Sequence, residues 1–204
     1  MRILLTSAAS LLALTACESV NLAGAPQAER EVRIEREVIV RDEAPRGDDA
    51  LPVDTTALHD RVLTLDTHID IDAGYASYRL DPGGFNRAQA DLPSMRAGGL
   101  DAGFFIVYVG QGPISPMGYD EAAEIAERKY QAILRMIRAY PDEIALAVTA
   151  DQVEAIHASG RLVALIGMEN SWPLGEDLSR VEMWANRGVR YVSITHFGNN
   201  QFGG

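Results

Sequence analysis

Thiol chemistry is nearly absent from this chain, whose 204 residues include one cysteine, Cys17. A lone thiol makes no internal disulfide and no zinc-thiolate cluster, so any metal must be held by His, Asp, Glu and water. A spanning helix needs about 20 apolar residues, and the apolar run from Ile3 to Ala16 stops short of that. Basic clusters are lacking as well. With 18 basic against 29 acidic residues and a formal charge of −11, the chain is unsuited to a polyanion, and no nucleic-acid partner is expected. No Gly-x-Gly-x-x-Gly follows the first predicted strand, which removes the fingerprint of dinucleotide binding.

What the amino terminus does contain is a basic residue, Arg2, then the Leu- and Ala-rich run, then small residues before Cys17. That order is the order of a secretory signal. Leu14-Thr15-Ala16-Cys17 resembles the lipobox of bacterial lipoproteins, which implies cleavage before Cys17 and its lipidation; an ordinary signal cut near Ala16 is the alternative. Residues 1–17 are thus expected to direct export, with a lipid on Cys17 tying the protein to a membrane and facing it to the periplasm or cell exterior. Residues 18–56 alternate Glu, Arg and Asp (Glu29-Arg30-Glu31, Glu35-Arg36-Glu37). They are too polar for a core and read as a solvated tether.

From residue 57 the pattern becomes regular. Strands are predicted at 62–66, 100–110, 144–148, 162–168 and 189–195, with a helix over 120–139 whose Ala122, Ile125, Ala126, Tyr130, Ile133 and Ile137 keep i, i+3, i+4 spacing. Asp120 is its expected N-cap, and shorter helices close at Gly160 and Gly188. Runs such as Phe104-Phe105-Ile106-Val107 and Val163-Ala164-Leu165-Ile166 are apolar on both faces, as in a parallel sheet covered by helices. This leaves a doubly wound sheet or a (β/α)8 barrel.

Polar chemistry favours the barrel. His68 and Asp70 follow strand one, Glu169 follows strand four and His196 follows strand five, each at a carboxyl end, where barrel enzymes keep their sites. In extended chain His68 and Asp70 point to one side and can share a divalent ion such as zinc; alternatively Asp70 caps a turn and His68 packs beside the strand. Glu169 is a ligand or a helix-cap carboxylate, and His196 a substrate group or a packed strand-end histidine. His59 and His157 read as surface positions, Asp91 as the residue fixing a loop before a helix, and Trp172 and Trp184 as core. Asn199 and Asn200 either line the site or form a turn. Residues 57–204 fall short of the ~250 of a full barrel, so about five strand-helix units of eight are expected and the chain is expected to be an amino-terminal fragment. A smaller, complete five-stranded α/β protein is the alternative.

Four stretches together resemble the membrane (renal) dipeptidases and their bacterial relatives, zinc peptidases of the amidohydrolase-like barrel type. They are Asp66-Thr67-His68-Ile69-Asp70, Ala90-Asp91-Leu92-Pro93 through Gly99, Leu165-Ile166-Gly167-Met168-Glu169-Asn170, and Gly188-Val189-Arg190-Tyr191 through His196. The resemblance implies that His68 and Asp70 bind one zinc, that Glu169 bridges two, and that His196 polarises the scissile carbonyl of a dipeptide. A homodimer is a further expectation. The family's first motif is usually Asp-Gly-His-Asn-Asp, so Thr67 and Ile69 depart from it at positions that are not ligands. The family's histidines that complete the second zinc site, and the Arg and Asp that meet substrate, lie later in the barrel and are not in this sequence. A catalytically inactive lipoprotein that retains metal or partner binding is therefore the second reading.

Overall fold

A computed structural model of the chain describes residues 55–204, Gln89 excepted. The expected signal segment with Cys17, and the expected tether as far as residue 54, lie outside the described residues. Among the described residues no helix is long and apolar enough to cross a membrane.

One parallel sheet contains β1 (Leu65–Asp70), β2 (Ala102–Tyr108), β3 (Ile144–Leu146), β4 (Leu162–Glu169) and β5 (Val189–Val192). The helices are α1 (Thr55–His59), α2 (Leu92–Gly98), α3 (Pro116–Ala139), α4 (Ala150–Ala158) and α5 (Ser179–Asn186), with a 3₁₀ turn at Trp172–Leu174. β4 is the axis, buried from Leu162 to Met168. Along one edge β2 pairs with it from Ala102↔Val163 to Tyr108↔Glu169, and β1 flanks β2.

The opposite edge of β4 is shared. β3 takes Leu162–Ala164, and β5 takes Ile166–Met168 with a shift of register between Ile166 and Gly167. β3 is short because the chain leaves the ladder after Ala147, whose N–H still reaches Ala164 O at 2.9 Å. Thr149 then caps α4 through its hydroxyl, which accepts the Gln152 N–H.

Several element bounds differ from the sequence expectation. The first strand starts at Leu65 instead of Val62, because the Thr64 hydroxyl donates to Gly99 O (2.6 Å) and accepts from the Asp101 N–H (2.9 Å), pinning the chain before the ladder begins. His68 and Asp70 therefore lie inside β1, and Glu169 is the last residue of β4, so none of the three follows its strand. The long helix is capped by Ser115, whose hydroxyl accepts the Gly118 N–H, and not by Asp120. Pro116 suits its first turn because no N–H is needed there. β5 ends at Val192; beyond it the Ser193 hydroxyl bonds the Asn170 N–H (2.9 Å) in place of a ladder partner.

Both faces of the sheet are apolar, as the runs in β2 and β4 require. On one face Ala122, Ala126, Tyr130, Ile133 and Met136 of α3 meet Phe105, Val107, Ala164 and Ile166. Trp172 and Trp184 join this cluster, in agreement with their core reading. On the other face Ala102, Val163 and Leu165 pack with Ile156 of α4. α5 is tied to α3 by Arg187, which lies 4.1 Å from the Tyr130 ring and 4.2 Å from that of Trp184 and bonds Glu127 at 2.6 Å.

Asp91 fixes the entry to α2: its Oδ1 accepts the Ser94 N–H at 2.7 Å and its Oδ2 the Asn86 N–H at 3.2 Å. Burial works against its charge, but these donors outweigh burial and hold the carboxyl below its ordinary value of 3.8. A depressed folded value means that the stabilisation is full above the unfolded value and lost as pH falls through the folded one. Asp91→Ala is expected to cost roughly 1–2 kcal/mol at pH 7, as N-cap removals do. In urea unfolding series, the gap between parent and variant should close below about pH 4, and a gap that stays constant with pH would contradict this role.

Candidate metal centre

The carboxyl ends of β1, β4 and β5 bring the predicted site residues together. β1 delivers His68 and Asp70 to one side because they are two apart in extended chain, and Glu169 arrives from the end of β4, two strands away. One donor atom from each of His68, Asp70 and Glu169 lies within 4.8 Å of the others. His68 Nε2 stands 3.7 Å from Asp70 Oδ1 and 3.4 Å from Glu169 Oε2. Ligand atoms each about 2.1 Å from a tetrahedral zinc ion are roughly 3.4 Å apart, so the spacing and the donor set fit such an ion.

His196 joins through the other oxygen of Glu169, its Nε2 lying 3.4 Å from Oε1. The two oxygens of one carboxylate thus face two different imidazoles. The Glu169 side chain is about one-fifth exposed and those of His68 and Asp70 considerably more, so the cluster is reachable from solvent. Behind Glu169 the turn is set by Asn170, buried at a φ of 70°. Its amide donates to Val109 O and Gln111 Oε1 and accepts from Asn200 and the Trp172 N–H. Asn200 is accordingly a buried loop tie, and Glu169 is a strand end, not a helix cap.

Two tyrosines that the sequence reading passed over set the histidines. The Tyr191 hydroxyl donates to Thr67 O at 3.0 Å and lies 3.3 Å from His68 Nδ1. Its one proton is given to the carbonyl, so toward Nδ1 it can act only as an acceptor; with Nδ1 protonated, Nε2 would keep a lone pair for an ion held with the carboxylates. Burial first, then the charges of Glu169, Asp70 and Asp66, push this phenol up to about 12, so it remains a donor at neutral pH. Gly167 makes room for the ring: a Cβ there would fall 2.4 Å from Tyr191. Tyr108, ending β2 beside Glu169, places its hydroxyl 3.3 Å from His196 Nδ1 and its ring edge-on to the imidazole at 4.9 Å.

Other candidates fall elsewhere. His59 ends α1 at the surface, and His157 on α4 pairs with Asp101 at 3.5 Å, away from the cluster. Asp66 supports β1 by accepting the His68 N–H at 2.8 Å. Lys129 of α3 reaches the same end of the sheet, 5.2 Å from the Tyr108 ring; burial lowers its pKa, against the pull of Asp70, Asp72 and Glu169.

A parallel α/β sheet of TIM-barrel type with a His-Asp-Glu cluster at its strand ends defines a barrel metallohydrolase scaffold. The chain belongs to the membrane dipeptidase family, peptidase family M19, whose model matches residues 54–204. It is 32% identical over 118 residues to dipeptidase aclJ of Aspergillus oryzae, covering 56% of this chain and 28% of that protein. It is 32% identical over 111 residues to dipeptidase 3 of Rattus norvegicus, covering 54% and 21%. The crystal structure of the probable dipeptidase PvdM from Pseudomonas aeruginosa superposes with a TM-score of 0.67 at 26% identity, over 71% of this chain and 37% of that one. The chain therefore spans less than a third of the two curated relatives it matches.

Tyr191→Phe keeps the ring over Gly167 and removes only the hydroxyl. If the cluster holds a divalent metal through His68, the change is expected to weaken binding of that metal about 10- to 100-fold, the usual cost of losing an outer partner of a ligating histidine, as read by competition with a chelating dye. Unchanged affinity would mean that Tyr191 is only a packing residue.

Proposed function

We propose that this protein is a zinc-dependent dipeptidase, with His68 and Asp70 holding one ion, Glu169 shared between two, and His196 meeting the scissile carbonyl. The observation that carries the reading is the convergence of three donor residues within 4.8 Å at the strand ends of a chain in the membrane dipeptidase family. A structural neighbour at 25% identity, dipeptidase AC, is a metallopeptidase of the same family.

Zinc, when bound, lowers the pKa of a coordinated water toward 7 and so supplies hydroxide at neutral pH. The protein's own residues provide the rest. A proton donated by Tyr108 to His196 Nδ1 leaves the imidazole proton on Nε2, on the side of Glu169 Oε1 at 3.4 Å, where an incoming oxygen would meet it. From there it can stabilise the negative charge that develops on the carbonyl oxygen during attack. The opposite tautomer at His68 keeps a lone pair where a ligand is needed. One peptide bond is cleaved and two amino acids leave.

The amino-terminal residues extend the proposal to location: an exported lipoprotein held to a membrane through Cys17, with the charged segment as spacer. Cys17→Ser is expected to move the protein from the membrane to the soluble fraction of cells, and persistence in the membrane would remove the lipid anchor from the proposal.

Zinc content and dipeptide hydrolysis of the protein made from its whole gene test the catalytic part. About two zinc ions per chain and turnover of Ala-Ala are expected. His68→Ala should lose metal and more than about a hundredfold in activity, exceeding the usual effect of an outer partner. His196→Ala should keep its metal and lose roughly 10²–10³ in kcat, as does loss of one oxyanion donor. Metal without turnover would leave a binding lipoprotein, and hydrolysis indifferent to His68→Ala would overturn the proposal.

A further inference from the structure

The helical spacing of α3 puts one cation where a core residue is expected. Ala122, Ala126 and Ile133 are buried against the sheet, and Lys129 falls in the same i, i+4, i+7 stripe between them. It is the only lysine of a chain with 18 basic residues. Its ammonium lies 5.2 Å from the centre of the Tyr108 ring, and among the described residues it enters no ion pair. Burial disfavours its charge, and the carboxylates of Asp70, Asp72 and Glu169 act against that. A cation over an aromatic face is attracted by the ring quadrupole, most strongly where water is partly excluded.

The ring under this cation touches the reacting end of the site. Tyr108 is the ladder partner of Glu169, its ring meets the His196 imidazole edge-on at 4.9 Å, and its hydroxyl lies 3.3 Å from His196 Nδ1. Gly110 leaves that hydroxyl its room, since a Cβ there would stand 3.4 Å from the phenol oxygen. Among the described residues the Tyr108 hydroxyl has no second hydrogen-bond partner, unlike that of Tyr191, which is tied to Thr67 O. Hydrogen bonding alone therefore leaves open whether the phenol gives a proton at Nδ1 or takes one. A positive charge on the ring face decides it. It draws electron density from the oxygen, which makes the phenol a better donor and a poorer acceptor.

We propose that Lys129 is a positioning residue for His196: its ammonium, seated on the Tyr108 ring, fixes and polarises the phenol so that Tyr108 donates to Nδ1 and the His196 proton stays on Nε2. The proposal rests on the dipeptidase reading above and adds to it a residue that meets neither substrate nor metal. Its action runs from helix to ring to imidazole, and the reacting atoms remain with His196 and the metal cluster.

The test uses the protein from its whole gene, loaded with zinc, as parent, Lys129→Met, Lys129→Arg, Tyr108→Phe and the double variant Lys129→Met with Tyr108→Phe, with zinc content measured for each. Methionine keeps the unbranched stem and removes the charge. Lys129→Met is expected to lower kcat for Ala-Ala roughly threefold to thirtyfold, the range of a partly desolvated cation on a ring, with KM and zinc content unchanged, as for an interaction made in the transition state alone. Lys129→Arg should recover most of the loss, because a guanidinium also stacks on an aromatic face. In the Tyr108→Phe background the same change should cost nothing further, since residues acting through one contact are not additive. A loss that adds to that of Tyr108→Phe, a loss carried by KM or by missing zinc, or no loss would overturn the proposal.

A second readout needs no turnover. In zinc-loaded protein labelled with ¹⁵N-histidine, the ring signals of His196 are identified by their absence in His196→Gln. In the parent they should report the proton on Nε2, and in Lys129→Met part of the population should carry it on Nδ1. Identical His196 signals in the two proteins overturn the role of Lys129, and a parent that still cleaves Ala-Ala leaves the dipeptidase reading standing. A parent that cleaves no dipeptide overturns the dipeptidase reading, and the ¹⁵N signals then decide by themselves whether Lys129 governs the His196 proton.

Discussion

Carboxylates gathered at one end of a sheet repel one another, and much of the architecture around Glu169 offsets that repulsion. Asp70 and Glu169 share the strand ends with two imidazoles, one on each oxygen of Glu169. In a site partly shielded from water such charges interact more strongly than in solvent, so a divalent cation and the ammonium of Lys129 both lower the energy of the arrangement. The parallel register does the positioning. Tyr108 is the partner of Glu169 across β2 and β4, which is why a tyrosine on one strand can orient the histidine that contacts a carboxylate on the next.

The tyrosines divide the histidines by role. Both touch Nδ1 and both leave Nε2 toward the carboxylates, yet the Tyr191 proton is committed to Thr67 O while that of Tyr108 is free to go to His196. In the proposed site this difference would leave one imidazole to give a lone pair and the other a proton. That division of labour comes from a single carbonyl oxygen in β1, and it requires Gly167, since any side chain there would displace the Tyr191 ring.

Much of this was legible in the residues. The both-face apolar runs of β2 and β4 announced a buried parallel sheet, and the meeting of His68, Asp70 and Glu169 at one end of it was legible because each was placed at a strand's carboxyl end. The start of β1 was misplaced because Val62 and Leu63 look like strand, while the side chain of Thr64, bonded to Gly99 O and Asp101, decides where pairing begins. The cap of α3 was missed because Asp120 is a good cap in isolation, and Ser115 wins only through its neighbour Pro116. Tyr108, Tyr191 and Lys129 carried no sequence signal. Tyr108 and Tyr191 face histidines 88 and 123 positions away, and Lys129 reaches the Tyr108 ring from a separate element, which periodicity along one segment does not report.

The Tyr191–His68 contact also bears on when the site comes into being. Its partners are separated by 123 positions, and contacts of long sequence separation form late because loop-closure entropy must be met first. A ribosome would release His68 and Asp70 well before Glu169, and β5 later still. Until β5 docks, the first two residues are an unoriented imidazole and a solvated carboxylate with little claim on a metal ion. In the proposed metal centre, ion binding would be a checkpoint on assembly: it would favour only chains whose first and fifth strands have met, and its free energy would be added to the folded state alone.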